Sequence, residues 1–238
     1  IGTYFVDKNV RYKLNCFSRK NKNCTFLDLQ NNETFSNFSF ENSFIVSFAP
    51  IWLVKNLLQN LEENNLNDLK TLKGAIIYSS SSAITKKFAA NVYDKNLSQK
   101  LISSENKILS IFRKYSINCV IIRPTIIYGT YKDLDDRNFT KIIKLFRKLP
   151  FCIIPSNTGY RQPIHFSQLS KLTYLFLEKF NSHNTLDKIS EILEVGGDEN
   201  ITYKDLLIRL SFLASDSHKR KCRIIPISNK LFYALLFP

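Results

Sequence analysis

Gly74-Ala-Ile-Ile-Tyr-Ser-Ser-Ser-Ser82 and, further along, Ile117-Asn-Cys-Val-Ile-Ile-Arg-Pro-Thr-Ile-Ile-Tyr-Gly129 decide the fold. In the first, the apolar run Gly74–Ile77 closes on Tyr78–Ser82. In the second, Ile117–Ile122 closes on Arg123–Gly129. Short apolar runs with polar ends read as buried strands of a parallel sheet. In a doubly wound α/β sheet the carboxyl ends of the strands line the ligand crevice, so these serines and this Arg-Pro turn become site candidates. The plainer alternative is a serine-rich turn and a proline stop, which any α/β protein contains.

Outward from these runs the chain alternates strand and helix patterns. Leu14–Ser18, Cys24–Leu29, Phe44–Ala49, Ala75–Ser79 and Cys119–Arg123 read as strands, rich in β-branched or aromatic residues between polar turns. Ile51–Leu69 and Leu97–Tyr115 carry leucines and other apolar residues near helical spacing. Such alternation predicts a parallel sheet with right-handed crossovers. From about Asp133 the rhythm changes: helix Phe139–Leu149, a strand near Ile153, a loop through Gly159, helix Ser167–Phe180, strand Ile192–Gly196 and helix Thr202–Leu213. We therefore expect a larger unit over residues 1–132 and a smaller α/β unit over 133–238, with helix 167–180 packing back on the first. No internal repeat or low-complexity linker interrupts them.

At 238 residues and 44% hydrophobic the chain can bury a full core. No apolar run approaches the roughly 20 residues of a bilayer span. Leu231-Phe-Tyr-Ala-Leu-Leu-Phe237 is read as a helix packing its apolar face, or one cut short, and there is no signal-peptide pattern. The five cysteines, Cys16, Cys24, Cys119, Cys152 and Cys222, are odd in number and scattered. That predicts reduced core thiols in a cytoplasmic protein rather than disulfides or a metal site. The absence of Met and the opening Ile1-Gly2 predict a processed or truncated N-terminus. A net charge of +14 raises the prospect of anionic partners. The lysines are spread along the whole chain, however, and the one dense cluster, Lys219–Arg223, reads as a solvated loop with no nucleic-acid platform around it.

In this order of elements the chain resembles the NAD-dependent epimerase/dehydratase family, the extended short-chain dehydrogenase/reductases that act on nucleotide-linked sugars. The resemblance runs along almost the whole chain and implies a Rossmann-like domain with a smaller C-terminal substrate unit. Ile1-Gly2 resembles the tail of the family's Gly-x-x-Gly-Phe-Ile-Gly fingerprint, with the first strand absent. Gly2 would then lie in the remaining cofactor cradle. Arg19, in Ser18-Arg19-Lys20 at the end of the second strand, would meet the adenosine ribose. A cation there, without an acidic residue, leans towards NADP over NAD. Asp28 and Leu29 resemble the Asp-Leu pair facing adenine, and Ala49, in Phe48-Ala49-Pro50, the loop that passes the cofactor. Ser79 sits at the strand end towards the cofactor, and Arg123 and Pro124 match the turn beside the nicotinamide. Ser81 matches the hydroxyl that hydrogen-bonds the reacting sugar oxygen, with Ser80 beside it. On the substrate side stand Tyr128 and Arg161, the latter in Gly159-Tyr-Arg-Gln-Pro-Ile-His165, where a guanidinium fork suits a nucleotide diphosphate. Arg161 could equally be a surface arginine, and His165 reads better as a packed core histidine than as a base.

The catalytic pair departs from the family. Its Tyr-x-x-x-Lys, in which lysine lowers the tyrosine pKa and tyrosine moves the proton, is commonly followed four residues later by glutamate. If Glu105 is that glutamate, Leu101 stands at the lysine position and Leu97 at the tyrosine position, and neither transfers a proton. Tyr93 and Lys100 form a displaced candidate pair, against the plainer reading of a loop aromatic and a solvated lysine. Two expectations follow: an NAD(P)-dependent epimerase, dehydratase or reductase working on a nucleotide-diphosphate sugar by hydride transfer, or a catalytically silent dinucleotide-binding sensor on the same fold. Neither nucleic acid nor membrane is an expected partner, and a homodimer is compatible with the resemblance.

Overall fold

The structure, a computed structural model, describes residues 1–9, 11–35, 38–182, 189–215 and 221–236. Lys219 and Arg220 of the basic cluster and Phe237 of the terminal apolar run lie outside the described residues. The chain divides into two compact units, one formed by Ile1–Pro124 with Ser167–Val195 and the other by Thr125–Phe166 with Gly196–Pro238. The elements run α1 (Gly2–Lys8), β1 (Phe17–Ser18), β2 (Thr25–Phe26), β3 (Phe44–Ser47), α2 (Ile51–Asn64), α3 (Leu66–Lys70), β4 (Gly74–Tyr78), α4 (Ser82–Thr85), α5 (Val92–Lys114) and β5 (Cys119–Pro124). The second unit begins with β6 (Ile127–Tyr128), α6 (Phe139–Phe146), β7 (Phe151–Pro155), β8 (Tyr160–Arg161) and β9 (Ile164–His165). The chain then returns to the first for α7 (Phe166–Asn181) and β10 (Ser190–Val195), and closes with β11 (Ile201–Thr202), α8 (Tyr203–Ser215), β12 (Arg223–Ile227) and α9 (Asn229–Leu236).

The first unit is built on a four-stranded sheet of order β10-β5-β4-β3, parallel throughout. Its two central strands are the apolar runs that opened the sequence, and every residue of β4 and β5 is buried. Alternation along them sorts the core into layers. Ala75, Ile77, Cys119 and Ile121 join one cluster with Leu57, Leu58 and Leu61 of α2 and Ile108, Ile111 and Phe112 of α5. Tyr78, of opposite parity, meets α7, where its hydroxyl donates to the Leu169 carbonyl at 2.9 Å. At the other end of β4, Gly74 leaves room for α7, since a Cβ there would lie 2.9 Å from the Phe180 ring. Helices on both faces of a parallel sheet make this an α/β doubly wound fold, as the sequence predicts. Each fully buried leucine or phenylalanine in these layers stabilises the unit by about 1.5–3 kcal/mol.

Several expectations are corrected. Strand 192–196, which its place in the chain assigned to the smaller unit, is β10 and pairs in parallel with β5 from Ser190↔Cys119 to Val195↔Pro124. The long helix expected over Ile51–Leu69 breaks at Asn65, which leaves helical geometry at φ −144° and ψ 62°. Asparagine is a weak helix former that offers the backbone alternative bonds. Helix α5 starts before Leu97 because Asn91 caps it, its side chain accepting from Asp94 N at 2.8 Å. The expected strands 14–18 and 24–29 shrink to β1 and β2, a separate parallel pair. Ser18 Oγ accepts from Lys20 N and Asn21 N, and Asp28 Oδ1 accepts from Gln30 N, so side-chain turns end both strands early.

The cysteine expectation is overturned at one pair: Cys16 and Cys24 form a disulfide. The register Phe17↔Thr25 sets the two cysteines opposite one another where β1 and β2 begin, with Cα atoms 4.9 Å apart, the spacing of paired strands. A separation of eight along the chain hides this, because only the strand pairing creates it. Cys119, Cys152 and Cys222 are free thiols.

In the second unit, Phe139 and Phe146 of α6 pack with Leu206, Leu207 and Leu210 of α8 and with Ile154 of β7. Three two-stranded pairs complete it, β7 with β12 and β6 with β9 parallel, β8 with β11 antiparallel. On α9, Leu231 and Leu235 are exposed. Among the described residues no helix is long and apolar enough to cross a membrane.

Candidate functional site

At the carboxyl end of β4 the chain leaves the sheet as Ser79-Ser80-Ser81, and β5 holds it there. Ser79 N donates to the Ile122 carbonyl at 2.7 Å and Ser81 N to the Pro124 carbonyl at 3.1 Å. The serine loop and the Arg-Pro turn are thus joined by backbone bonds, so their side chains share one edge of the sheet. Ser80 Oγ accepts from Ser82 N at 3.2 Å. Ser81 begins α4 without a side-chain capping bond. Its half-buried hydroxyl has no hydrogen-bond partner among the described residues.

Beneath the loop lies a buried ionic brace. Glu105, fully buried in α5, receives the Ser79 hydroxyl and Arg123 Nε on one oxygen, the latter at 3.0 Å, and Arg123 Nη2 on the other. Arg123 also reaches Glu194 of β10 at 3.3 Å. The hydrogen bonds that the Arg123 guanidinium donates to Glu105 push its pKa above the ordinary value. A two-pronged Arg–carboxylate contact is the geometry in which a buried pair offsets its desolvation. Ser79 and Arg123 therefore have protein partners, and Arg123 ties α5, β5 and β10 together behind the serines. In the sequence Glu105 sets the register of Leu97 and Leu101 and nothing more. The signal for its role was a carboxylate inside the apolar stripe Leu97, Leu101, Ile108, Phe112, where an acid needs a cation opposite.

The same stripe places the leucines. Leu101 is buried in the core and Leu97 packs against it, each one turn further from Glu105. Tyr93 lies in the first turn of α5 rather than on the preceding loop and is 78% exposed. Lys100 rests on Trp52 with Nζ 4.3 Å from the ring centroid. Seven residues put Tyr93 and Lys100 on one face of the helix but about 10.5 Å apart along it, so the structure does not bring them together.

Around the cofactor positions, Gly2 packs so closely on the loop after β3 that a Cβ would lie 3.1 Å from the Phe48 ring. Phe48 in turn contacts Tyr78, with ring centroids 4.8 Å apart. The start of α1, the Phe48-Ala49 loop and the end of β4 therefore meet. Arg19 donates to Gln30 Oε1 at 3.0 Å and lies 3.9 Å from Asp28 Oδ1, so two expected adenosine-side residues are neighbours. Leu29 packs against the core cluster.

In the second unit, Tyr128 pairs with His165 across β6 and β9 and stacks on Phe139. Burial holds the His165 imidazole below its ordinary pKa. Gly129, at φ +112°, can bear no side chain, because a Cβ would come within 2.5 Å of His165 Nε2. Arg161 is exposed on β8, its guanidinium 5.3 Å from the Tyr203 ring and Nη1 donating to the Tyr160 carbonyl at 2.7 Å. Among the described residues no group of three or more His, Cys, Asp or Glu side chains could hold a metal ion.

No protein-family model matches the chain, and no curated protein matches it. Solved structures do. A UDP-N-acetylglucosamine 4-epimerase from Bacillus cereus superposes with a TM-score of 0.59 at 14% identity, over 93% of this chain and 80% of that one. A GDP-mannoheptose C4 reductase from Campylobacter jejuni, with NADP bound, gives 0.61 at 13% over 87% and 80%. A UDP-glucose 4-epimerase from Thermotoga maritima, with UDP-glucose, gives 0.60 at 14% over 88% and 74%. The chain has the Rossmann-like fold of these enzymes. At such identities the agreement is one of architecture, and chemistry must be argued from the side chains.

Proposed function

We propose that the chain binds a nicotinamide dinucleotide on its first unit and acts on a nucleotide-diphosphate sugar by hydride transfer at a sugar carbon. The observation that carries this is Ser81: a half-buried residue whose hydroxyl has no partner among the described residues, fixed by Pro124 at the carboxyl edge of a parallel sheet. A hydroxyl so placed can orient a substrate oxygen without first breaking a bond of its own. The neighbouring folds are those of two UDP-sugar 4-epimerases and an NADP-bound GDP-mannoheptose C4 reductase, which supports the same class. Bound, the dinucleotide would supply the hydride acceptor or donor. Gly2 and Ala49 would lie along it, and Arg19 would favour the 2′-phosphate of NADP. Arg161 would hold the sugar's diphosphate, and a cytoplasmic setting belongs to the same reading.

The residues fit binding better than proton transfer. Leu101 is part of the core and Leu97 packs against it, and no acid or base replaces them on that stripe before Glu105, which is committed to Arg123. This favours, as the second reading, a dinucleotide-binding sensor without turnover.

Trp52, the single tryptophan, lies two residues beyond the Ala49-Pro50 loop and can report binding by energy transfer to a reduced nicotinamide. The test is a titration of the full natural protein with NADPH and NADH, repeated with a panel of nucleotide-diphosphate sugars. Dinucleotide affinity raised by one sugar nucleotide supports the enzyme. Affinity indifferent to every sugar supports the sensor, and absence of dinucleotide binding overturns both. If Arg19 meets the 2′-phosphate, Arg19→Ala weakens NADPH by about 1.5–3 kcal/mol and leaves NADH nearly unchanged.

A further inference from the structure

The Cys16–Cys24 link has no part in the proposed chemistry, yet it closes the loop that carries Arg19. We propose that this pair is a reversible thiol–disulfide exchange site whose oxidised form holds the loop in the shape that receives a 2′-phosphorylated dinucleotide. The effect on affinity rests on the dinucleotide-binding function proposed above; the exchange chemistry does not.

Three observations converge. Both cysteines are half-buried at the start of short surface strands, whereas Cys119 and Cys222 are buried thiols. Burial pushes the Cys119, Cys152 and Cys222 thiols up, away from reactivity, and the half-buried pair is more accessible than Cys119 and Cys222. Cations dominate the charge around the pair: residues 9–27 contain Arg11, Lys13, Arg19, Lys20 and Lys22 and no acid, with Glu178 facing Arg11 and Asp28 lying 3.9 Å from Arg19. Lys13, Lys20 and Lys22 are exposed and have no ion-pair partner among the described residues. Cations beside a cysteine stabilise the thiolate, the form that exchanges, and accessibility governs the rate.

The third observation is how little else holds the loop. β1 and β2 are two residues each, and the backbone bonds flanking them are Thr25 N to the Cys16 carbonyl at 2.8 Å and Leu27 N to the Ser18 carbonyl at 3.4 Å. Phe17 and Leu27 anchor the strands on the core, and between them the covalent link does much of the closing of the loop. Inside it, Ser18 Oγ gathers Lys20 N and Asn21 N, and Arg19 is turned towards Gln30 and Asp28. A loop held in its binding shape loses less freedom when it takes a phosphate.

The exchange balances with a dithiol reductant. One reductant thiolate attacks a sulfur of the link, the Cys16–Cys24 bond breaks, and a mixed disulfide forms as the other cysteine leaves as thiolate. The second reductant thiol then closes on the mixed disulfide and frees the remaining cysteine. Two electrons and two protons have passed to the pair, and the reductant is left as a cyclic disulfide.

The experiment compares oxidised, dithiol-reduced, Cys16→Ser and Cys24→Ser forms of the full protein. NADPH and NADH affinities are measured for each, along with tryptic cleavage after Arg19, Lys20 and Lys22, read by mass spectrometry after complete reduction. The expected result is at least fivefold tighter NADPH binding and slower loop cleavage in the oxidised form, a smaller change for NADH, and both serine variants behaving as the reduced protein in either condition. Equal NADPH affinity and equal cleavage in the two states overturn the proposal, as does a pair that alkylation shows cannot be reduced and re-formed. Slower cleavage without a change in NADPH affinity overturns the affinity effect and leaves the exchange site. Failure of every form to bind a dinucleotide overturns the cofactor assignment, and cleavage alone then decides the exchange site.

Discussion

Glu105 shows how a single side chain can fix an active edge without belonging to it. Its two oxygens receive Ser79 and the Arg123 fork, and its own carboxylate is out of water. Removing one partner of such a pair strands the other charge, so Glu105→Leu should lower stability by about 3–5 kcal/mol, whereas Glu105→Leu with Arg123→Met should cost much less. Urea denaturation of the three proteins checks this, and an additive double variant would show that the two residues act separately. Tyr78 offers a second residue-scale test, through pH. Burial is the main cause that pushes its hydroxyl up to about 12. A folded-state value above the unfolded one adds stability that is whole below about pH 10 and is lost as pH climbs towards 12. Wild type should therefore lose about 2–3 kcal/mol relative to Tyr78→Phe across that window. Parallel stability curves for the two proteins would place the alkaline loss elsewhere. At this scale the serines and the Arg-Pro turn were legible, because each follows an apolar run. The brace was not, because Glu105 and Arg123 are eighteen positions apart and only the packing of α5 on β5 joins them.

Among the elements, legibility followed the strength of the local pattern. β4, and β5 up to Arg123, are unbroken apolar runs and are legible nearly to their ends. The apolar stripe makes α5 legible, but its first turn is not, because Val92 and Tyr93 are exposed and only the Asn91 cap marks the start. That cap can be weighed. Asn91→Ala removes the acceptor for Asp94 N and should cost about 1 kcal/mol, read as a lower Tm, while Asn91→Asp should retain most of the stability. If alanine is neutral there, the helix starts elsewhere in solution. β10 was misplaced for a different reason. Its partner β5 lies 71 positions earlier in the chain, as Ser190↔Cys119 shows, and no local pattern states which sheet a strand joins. β1 and β2 were overextended since period-2 patterning ignores the Ser18 and Asp28 side chains that turn the backbone. The disulfide was missed along with them, being a product of their register.

For the whole molecule, the proposed function separates what each unit does, and that separation can be tested. Dinucleotide binding is assigned to residues of the first unit, orientation of the reacting oxygen to Ser81, and capture of the sugar's diphosphate to Arg161 of the second. The net charge of +14 aids any anionic ligand and so cannot discriminate among them, whereas paired variants can. Arg161→Ala should weaken a nucleotide-diphosphate sugar by roughly 1.5–3 kcal/mol, the size of a lost charge-assisted contact, and leave NADPH and NADH affinity unchanged. Ser81→Ala should leave both ligands bound within a few-fold and act on turnover alone, since one hydroxyl aimed at a reacting oxygen matters most as charge develops there. Calorimetric titration of the two variants and the wild type with each ligand, beside product analysis on the tightest sugar nucleotide, separates three results. Sugar binding insensitive to Arg161 leaves that residue as the surface stack on Tyr203 and moves diphosphate recognition elsewhere. Turnover insensitive to Ser81 removes the serine from the chemistry. Intact binding of both ligands with no turnover even in the wild type identifies the sensor.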